Sequence, residues 1–284
     1  METSIRHAAF AGKFYPRTAT EIASMFDSMD IDTTHTQSMP PLNHLIGAVT
    51  PHAGYVYSGH HAAPIFNILR NHHTLVETFV VINPNHTGIG SGNFNVSGVD
   101  FWETPLGQIE SDKEFIEALN IEVNELAHQS EHSGEVQLPF LQHFIPSPFK
   151  IVMITLNRQT PDNAVELAKR IAQARQRTNR NIFILASSDF SHYEHPLTGF
   201  EKDQMVVNEI LELNTEQIFN QVKRHSVTAC GFGCIMALTA YAKAEYKNPQ
   251  MKVLSRGHSG EIHSSTQVVD YISMLCFDAH ETAF

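Results

Sequence analysis

The chain has 284 residues with 30 acidic and 19 basic side chains, a formal net charge of −11. This negative balance argues against nucleic acid or anionic lipid as a partner, and a charged fraction of 17% is ordinary for a folded protein. The length suits one large α/β domain, and because no break in composition divides the chain, we expect a single domain over residues 1–284.

Cysteine usage and hydropathy indicate the compartment. The three cysteines, Cys230, Cys234 and Cys276, are too few and odd in number for a disulfide framework, which favours a reducing environment. Residues 1–16 lack the apolar stretch of a signal peptide, and no apolar run reaches the ~20 residues of a membrane span. We therefore expect a cytoplasmic protein that does not enter a membrane.

Predicted helices and strands alternate along the chain. In order, we predict a helix at 20–29, a loop at 30–43, a strand at 45–49, a helix at 59–71, a strand at 78–83, a hairpin excursion at 89–109 that carries Trp102, and a helix at 112–119. There follow a helix from 131 to 144, a strand at 150–156, a helix at 161–177, a strand at 181–186, helices at 200–213, 215–224 and 230–244, and strands at 252–255 and 268–277. Such alternation is typical of an α/β fold with a largely parallel central sheet and flanking helices, the last strand being the candidate for antiparallel pairing.

Two of these strands are followed by the same short pattern of proline and histidine. The run 46–49 is uninterrupted and apolar, as in a strand buried on both faces, and Pro51 ends it because proline cannot donate to a ladder. His52 therefore lies just beyond the carboxyl end of a strand, where open α/β sheets build their sites. Pro84 and His86 follow the strand at 78–83 in the same way, which favours a shared role for the two histidines.

A third strand, at 181–186, leads into Asp189 and His192. Loops at the carboxyl ends of parallel strands converge on one edge of a sheet, and imidazole with carboxylate is a ligand set for Fe, Zn, Cu or Mn. Two histidines and one anionic ligand would make a mononuclear site with open positions. Asp189, Glu135 and Cys230 are candidates for the anionic ligand. Cys230 lies at the amino-terminal end of a predicted helix, whose dipole would favour the thiolate that binds metals.

Each candidate also has a structural explanation. His52 and His86 could be structural or solvated histidines, Asp189 could cap a helix, and His132 could be a polar loop residue. Glu135 could be an ordinary helix glutamate, whereas Cys234 and Cys276 are best interpreted as small core residues.

Taken together, the motifs resemble the Memo family over nearly the whole chain. They are the opening segment 11–16, the stretch 51–59, Asn83 to His86, Glu131 to Glu135 with Leu138 and Pro139, Ser187 to Tyr193, and Cys230 with Gly231. The family is similar in fold to class III extradiol dioxygenases, which use a 2-His-1-carboxylate Fe(II) site. One departure is Thr87, which stands where family members often have a second histidine after the first.

The resemblance implies a metal triad of His52, His86 and Cys230. It places Asp189 and His192 along the same pocket, and His132 and Glu135 on another part of its lining. His192 or His132 would then serve as acid, base or substrate contact, with Asp189 orienting a ligand or a water. Because a sulfur ligand makes the site softer than a carboxylate would, extradiol cleavage does not follow from the fold.

Three functions remain open at this point. The first is a metal-dependent oxidoreductase that holds Fe(II), with Cu or Zn as alternatives, and takes a small molecule or peptide in its pocket. The second is a non-catalytic scaffold that binds a peptide or protein in an aromatic groove, and the third is copper handling through Cys230. The resemblance also implies radical-SAM and AMMECR-type proteins as partners. The aromatic residues proposed for the groove are Tyr55, Tyr57, Trp102, Phe190 and Tyr193.

Overall fold

The computed structural model describes residues 3–29, 45–72 and 76–279, so the predicted loop at 30–43 lies outside these ranges. The strands of the described chain are β1 (Ile5–Arg6), β2 (Leu45–Thr50), β3 (Thr78–Pro84), β4 (Phe94–Val96), β5 (Phe101–Thr104), β6 (Gly107–Glu110), β7 (Lys150–Leu156), β8 (Ile182–Ser187), β9 (His192–Glu194), β10 (Pro249–His258) and β11 (Val268–Asp278).

The helices of the same ranges alternate with these strands. They are α1 (Ala19–Ser28), α2 (Tyr55–His72), α3 (Lys113–Leu119), α4 (Leu126–Gln129), α5 (Leu138–Phe144), α6 (Pro161–Thr178), α7 (Pro196–Leu211), α8 (Thr215–Arg224) and α9 (Phe232–Glu245), with 3-10 turns at Glu135–Gln137 and Ser259–Glu261.

The large sheet has the order β10-β11-β2-β8-β3-β7-β4, and β9 pairs with β11 outside this path. β2, β8, β3 and β7 run parallel in its centre, whereas β11 joins β2 antiparallel and β4 joins β7 antiparallel. β1, β5 and β6 form a separate small sheet. The predicted α/β fold with a large central sheet and flanking helices is therefore confirmed, and so is the antiparallel last strand.

The central strands supply hydrophobic side chains to both faces of the sheet. Along β3, Val80 and Ile82 enter one core and Phe79 and Val81 enter the other, as the alternation of side chains along a strand requires. Helices α6, α8 and α9 cover the first face, and α1, α2 and α5 cover the second. Burial on both faces explains why the sequence shows continuous apolar runs at these strands.

Some observed helix boundaries differ from the predicted ones, because contacts between residues distant in sequence decide them. Helix α2 begins at Tyr55 rather than at 59, α7 begins at Pro196 rather than at 200, and α9 begins at Phe232 rather than at 230. The predicted helix at 131–144 is a 3-10 turn followed by α5. β1, β9 and α4 were not predicted, because elements of two to four residues carry no periodicity of their own.

Among the described residues, none of the helices combines the length and the apolar character that crossing a bilayer requires.

A buried pair of carboxyl groups joins α7 to the first residues of β11. Asp203 and Asp270 are 0% and 4% exposed, and Asp203 accepts the Ser191 hydroxyl at 2.6 Å. Burial raises the pKa of both carboxyls. The hydrogen bond to Asp203 raises the pKa of Asp270 further, to about 8, against the opposing charge of Arg256. Asp270 therefore keeps a proton at neutral pH and shares it with Asp203.

We expect Asp270→Asn to remove part of the pH dependence of stability. The pKa of Asp270 is about 4 in an unfolded chain and about 8 in the fold, so the folded state loses stability as pH rises between these values. Asparagine does not titrate but still donates to Asp203. Urea unfolding should therefore show the variant gaining stability relative to the natural chain from about pH 5 to about pH 8. An equal difference at both pH values would contradict this assignment of the proton.

Candidate metal centre

Three strands end side by side at one edge of the sheet. β8 lies between β2 and β3, and all three run parallel. Their carboxyl ends lead directly into His52, Asp189 and His86, the residues that follow these strands in the sequence. The parallel topology thus brings together side chains that are as many as 137 positions apart.

His52 is buried and is held in one orientation. Its backbone N–H donates to Asp189 Oδ1 at 2.8 Å, and its ring Nδ1 lies 2.9 Å from Ser187 Oγ. The Ser187 hydroxyl donates its single proton to the Ser133 carbonyl at 2.7 Å, so it accepts a hydrogen bond from the His52 ring. Nδ1 therefore carries the ring proton of His52, and Nε2 presents a lone pair to the site.

The Cys230 sulfur lies 3.1 Å from His52 Nε2. The backbone N–H of Asp189 points at the same sulfur from 3.3 Å. A close approach of the chain makes this possible, because a Cβ on Gly231 would lie 2.1 Å from the Ser187 carbonyl oxygen. A cysteine and a histidine 178 positions apart in sequence thus face one another directly.

The prediction that the helix dipole would favour a Cys230 thiolate is wrong for the protein without a bound cation. Helix α9 begins at Phe232, so Cys230 lies before its first turn. Burial raises the pKa of the Cys230 thiol well above its usual value, and the charge of Asp189 raises it further. Coordination of a cation is the interaction that would displace this proton.

A buried carboxylate, Glu131, orients His86. Glu131 accepts the backbone N–H of His86 at 2.7 Å, and its Oε1 lies 2.9 Å from His86 Nδ1. Ser133 donates to it through both its N–H and its hydroxyl, at 3.0 and 2.6 Å. Burial by itself raises the pKa of Glu131, but the contacts with His86 and Ser133 outweigh it and hold the pKa at about 2. The carboxylate thus fixes the proton on Nδ1 and leaves His86 Nε2 free.

His132 completes a triangle of imidazoles. One ring nitrogen from each of His52, His86 and His132 lies within 4.8 Å of the others, a spacing at which they could hold a metal ion together. The ring centroids are 4.7 Å apart for His86 and His132 and 5.4 Å apart for His52 and His132. Phe14 covers the outer side of His132 at 4.4 Å, so the segment that follows β1 forms one wall of the site.

The local electrostatics keep His52 and His132 neutral. Burial lowers the pKa of His52 well below its usual value, and the neighbouring histidines add to the effect. Burial also lowers the pKa of His132, to about 4, although Glu131 opposes it. Neutral imidazole is the form that binds a metal, so both rings are ready to act as ligands at neutral pH.

Asp189 and His192 lie at the margin of the triangle. Burial raises the pKa of Asp189 to about 6, against the backbone N–H donors of His52 and Ala53 and the charge of His192. His192 is partly exposed on β9, and its Nδ1 lies 3.0 Å from the Thr228 carbonyl. A carbonyl only accepts, so Nδ1 of His192 carries a proton and Nε2 is the nitrogen at which this ring can gain or lose one. Asp189 caps no helix, because its side chain accepts from the turn after β2.

Glu135 does not line the pocket, contrary to the prediction. It is fully buried and forms an ion pair with Arg6. Its oxygens also accept the backbone N–H of Phe10 at 2.9 Å and the Tyr15 hydroxyl at 2.6 Å. Glu135 therefore fastens the amino-terminal segment to the body of the protein. Glu131, four residues earlier, is the carboxylate that faces the site.

The predicted aromatic groove is also not formed as a unit. Tyr55, Trp102 and Phe190 are buried in the two cores, and only Tyr193 is widely exposed, at 73%. Cys234 and Cys276 are buried core residues, as predicted.

Comparison with known proteins gives the family. A family model described as Memo-like protein matches residues 6–275. A MEMO1 family protein of Methanocaldococcus jannaschii is 38% identical over 95% of this chain and 98% of its own length. Relatives of the same description from Archaeoglobus fulgidus and Methanococcoides burtonii are 35% and 36% identical, each over 95% of this chain and 99% of the relative. The chain belongs to the Memo family.

Among solved structures, an uncharacterized protein from Escherichia coli K12 superimposes on this Memo-family chain with a TM-score of 0.48 and 9% sequence identity. The match covers 81% of this chain and 99% of the other.

Two residues that shape the metal centre of this Memo-family protein, Glu131 and Ser187, were not predicted to do so. Each belongs to a motif of the family resemblance, and neither has a predicted role of its own. One signal was available for Glu131, since it directly precedes a candidate histidine in a chain with many histidines. The family departure at Thr87 is accommodated locally, because its hydroxyl donates to Asn85 at 2.9 Å.

Proposed function

We propose that this Memo-family protein is an oxidoreductase that binds one transition metal, Fe(II), through His52, His86 and Cys230. The observation that carries the proposal is the sulfur of Cys230 at 3.1 Å from His52 Nε2, beside a triangle of histidine nitrogens within 4.8 Å of one another. A thiolate with imidazoles suits Fe(II), Cu or Zn. His132 faces the same space and is either a further ligand or a contact for substrate.

The surrounding residues fit a metal because each imidazole is oriented by a partner on its other nitrogen. Ser187 holds His52 and Glu131 holds His86, both through Nδ1. Such outer partners are typical of metal-binding histidines, since they fix the tautomer and raise ligand basicity. Bound Fe(II) would supply one-electron chemistry and open positions for a substrate.

Proton transfer at this centre falls to His192 in our proposal. Its Nδ1 is fixed on the Thr228 carbonyl, so its partly exposed Nε2 is available to take a proton from a substrate hydroxyl. His132, with a pKa of about 4, would stay neutral and donate or accept a hydrogen bond. Asp189 holds the backbone of His52 in place and so positions the first ligand.

Anaerobic loading with Fe(II), followed by metal analysis and X-ray absorption at the iron edge, tests the site. We expect stoichiometric iron with one sulfur neighbour in the natural chain, and loss of that neighbour in Cys230→Ala. The double variant His52→Ala with Cys230→Ala should lose this iron. Cys234→Ala is the matched control, because that cysteine lies in the core and should leave the absorption spectrum unchanged.

Iron that kept an unchanged absorption spectrum in the double variant would show that the assigned ligands are wrong. Oxygen consumption by the iron-loaded protein with a panel of catechols then tests the oxidoreductase activity. Uptake that depends on His192 supports the proposal. No turnover with any substrate, together with tight capture of a peptide, would replace it with the binding function.

The close pair of sulfur and imidazole also favours copper handling as a second candidate, because thiolate with imidazole is a soft set that selects Cu(I). Competitive titration against Cu(I) chelators separates the two candidates. Copper bound more tightly than the chelators hold it, and lost in Cys230→Ala, would favour the copper function over the iron enzyme.

A further inference from the structure

A second group of metal-binding side chains lies on helix α2, away from the strand ends. His60 and His61 of this helix meet Glu261, which belongs to the 3-10 turn after β10. The ligand atoms of these three residues all lie within 4.8 Å of one another. We call this group the α2 cluster. It shares no residue with the centre formed by His52, His86, His132 and Cys230, which we call the strand-end centre. The proposed oxidoreductase chemistry makes no use of the α2 cluster.

The distances in the α2 cluster match those between neighbouring ligands of a tetrahedral zinc ion. Glu261 Oε2 lies 3.2 Å from His61 Nε2 and 3.4 Å from His60 Nε2. Zinc bonds of about 2.0–2.2 Å at tetrahedral angles separate adjacent ligand atoms by about 3.3–3.6 Å. Both histidines thus direct the same ring nitrogen toward one carboxylate oxygen, at a spacing that a zinc ion needs little movement to bridge.

The group is also built like a metal site beyond its ligand atoms. His61 Nδ1 lies 2.8 Å from Ser255 Oγ, a partner on the second ring nitrogen that metal-binding histidines usually have. Burial lowers the pKa of His61 to about 4, with His60 adding to the effect and Glu261 opposing it, so His61 is neutral at physiological pH. The neutral ring can present a lone pair to a cation.

Close approach of β10 makes the α2 cluster possible. A Cβ on Gly257 would lie 2.2 Å from Glu261 Oε1 and 2.4 Å from His61 Cε1, so only glycine leaves room for the two side chains to meet. The side chains of His60 and Glu261 are 31% and 41% exposed, which gives a cation access from solvent.

We propose that the α2 cluster is a zinc site, in which His60, His61 and Glu261 bind Zn²⁺ and leave a fourth position for water. Zinc fits a site of two imidazoles and one carboxylate, and it binds such ligands more tightly than iron does. A bound zinc ion would tie the connection between β10 and β11 to helix α2.

The test titrates Zn²⁺ into the full chain carrying His52→Ala and Cys230→Ala, so that the strand-end centre is disabled. We expect one zinc ion per chain, a rise in melting temperature on zinc addition, and loss of both when Glu261→Gln or His60→Ala is added. His7→Ala in the same background is the matched control. His7 also faces a carboxylate, Glu103 at 2.6 Å, but in a pair with one imidazole.

Co²⁺ added to the natural chain gives an independent reading that needs no background variant. The first equivalent of Co²⁺ should bind the strand-end centre and give a sulfur-to-cobalt charge-transfer band. A second equivalent should bind the α2 cluster and add absorption that has no such band and that disappears in Glu261→Gln. Absence of zinc binding in the background chain, or binding that survives both Glu261→Gln and His60→Ala, would overturn the proposal. Circular dichroism without zinc verifies that each variant folds.

Discussion

Replacing Glu135 with glutamine should lower the free energy of unfolding by about 3–5 kcal/mol, because it removes one partner of a buried ion pair. The side chains of Arg6 and Glu135 are 7% and 0% exposed, so the guanidinium would keep its charge in a poorly solvated place. Arg6 also donates to the backbone carbonyl of His7 at 2.8 Å, but a carbonyl does not replace a counter-charge. Urea unfolding with linear extrapolation measures the loss.

A surface pair provides the matched control. Glu166 and Arg170 lie one turn apart on α6, with a 2.8 Å contact and side chains that are 43% and 30% exposed. Glu166→Gln should change stability by at most about 0.5 kcal/mol, since solvent screens the pair. Combining Arg6→Met with Glu135→Gln should recover much of the loss, because the unpaired charge is gone. A Glu135→Gln chain as stable as the Glu166→Gln chain would contradict the structural role assigned to Glu135.

Glu135→Gln should also affect the metal centre, although Glu135 does not line it. Glu135 holds the backbone of Phe10, and the rings of Phe10 and Phe14 cover His132 at 5.6 and 4.4 Å. If the segment with Phe10 and Phe14 were held less firmly, water would reach the His132 ring, whose neutral state depends on burial. The NMR titration of His132 in Glu135→Gln should therefore move toward the ordinary histidine range.

Replacing Glu131 with glutamine should weaken metal binding about 10- to 100-fold without removing a ligand. The carboxylate accepts from both the backbone and the ring of His86, and an amide offers one acceptor where two are needed. The amide NH₂ would then lie against either the backbone N–H or the ring N–H of His86. Two donors would face each other in one of these contacts, so the ring would be held less firmly with its lone pair on Nε2. Chelator competition under anaerobic conditions measures the affinity.

Glu125→Gln controls for the loss of a carboxylate as such. Glu125 accepts the Ser97 hydroxyl at 2.8 Å and the Gly98 N–H, and its carboxylate is hydrogen-bonded to none of the histidines in the described ranges. Its replacement should therefore leave metal affinity unchanged. Nitrogen NMR of His86 adds a reading that general destabilisation would not give, because it reports which ring nitrogen carries the proton. An unchanged affinity and tautomer in Glu131→Gln would show that Glu131 does not orient a ligand.

The architecture was accessible from sequence because its signals are local. The buried runs that became β2, β3 and β8 are short, apolar and bounded by turn residues, and each predicted strand appears within a few residues of its expected place. Once these strands are parallel, His52, His86 and Asp189 must lie at one edge. That inference needed only the strand ends and the general geometry of parallel sheets.

The different roles of Glu131 and Glu135 could not be inferred from strand ends and sheet geometry. Both are acidic residues of one loop and turn, and only the fold shows that the second faces Arg6 and the first faces His86. The pKa of the Cys230 thiol likewise depends on the fold, because burial and the charge of Asp189 raise it.

Local signals along the chain were sufficient for the α/β class, the strand ends and the histidines that follow two of them, because hydrophobic periodicity and proline act over a few residues. The partner that each ionisable side chain meets depends instead on the fold. Contacts such as Cys230 with His52, or Glu261 with His61, join positions 178 and 200 residues apart. They depend on how the helices and the sheet close over one another, and desolvation then sets the charge of each group.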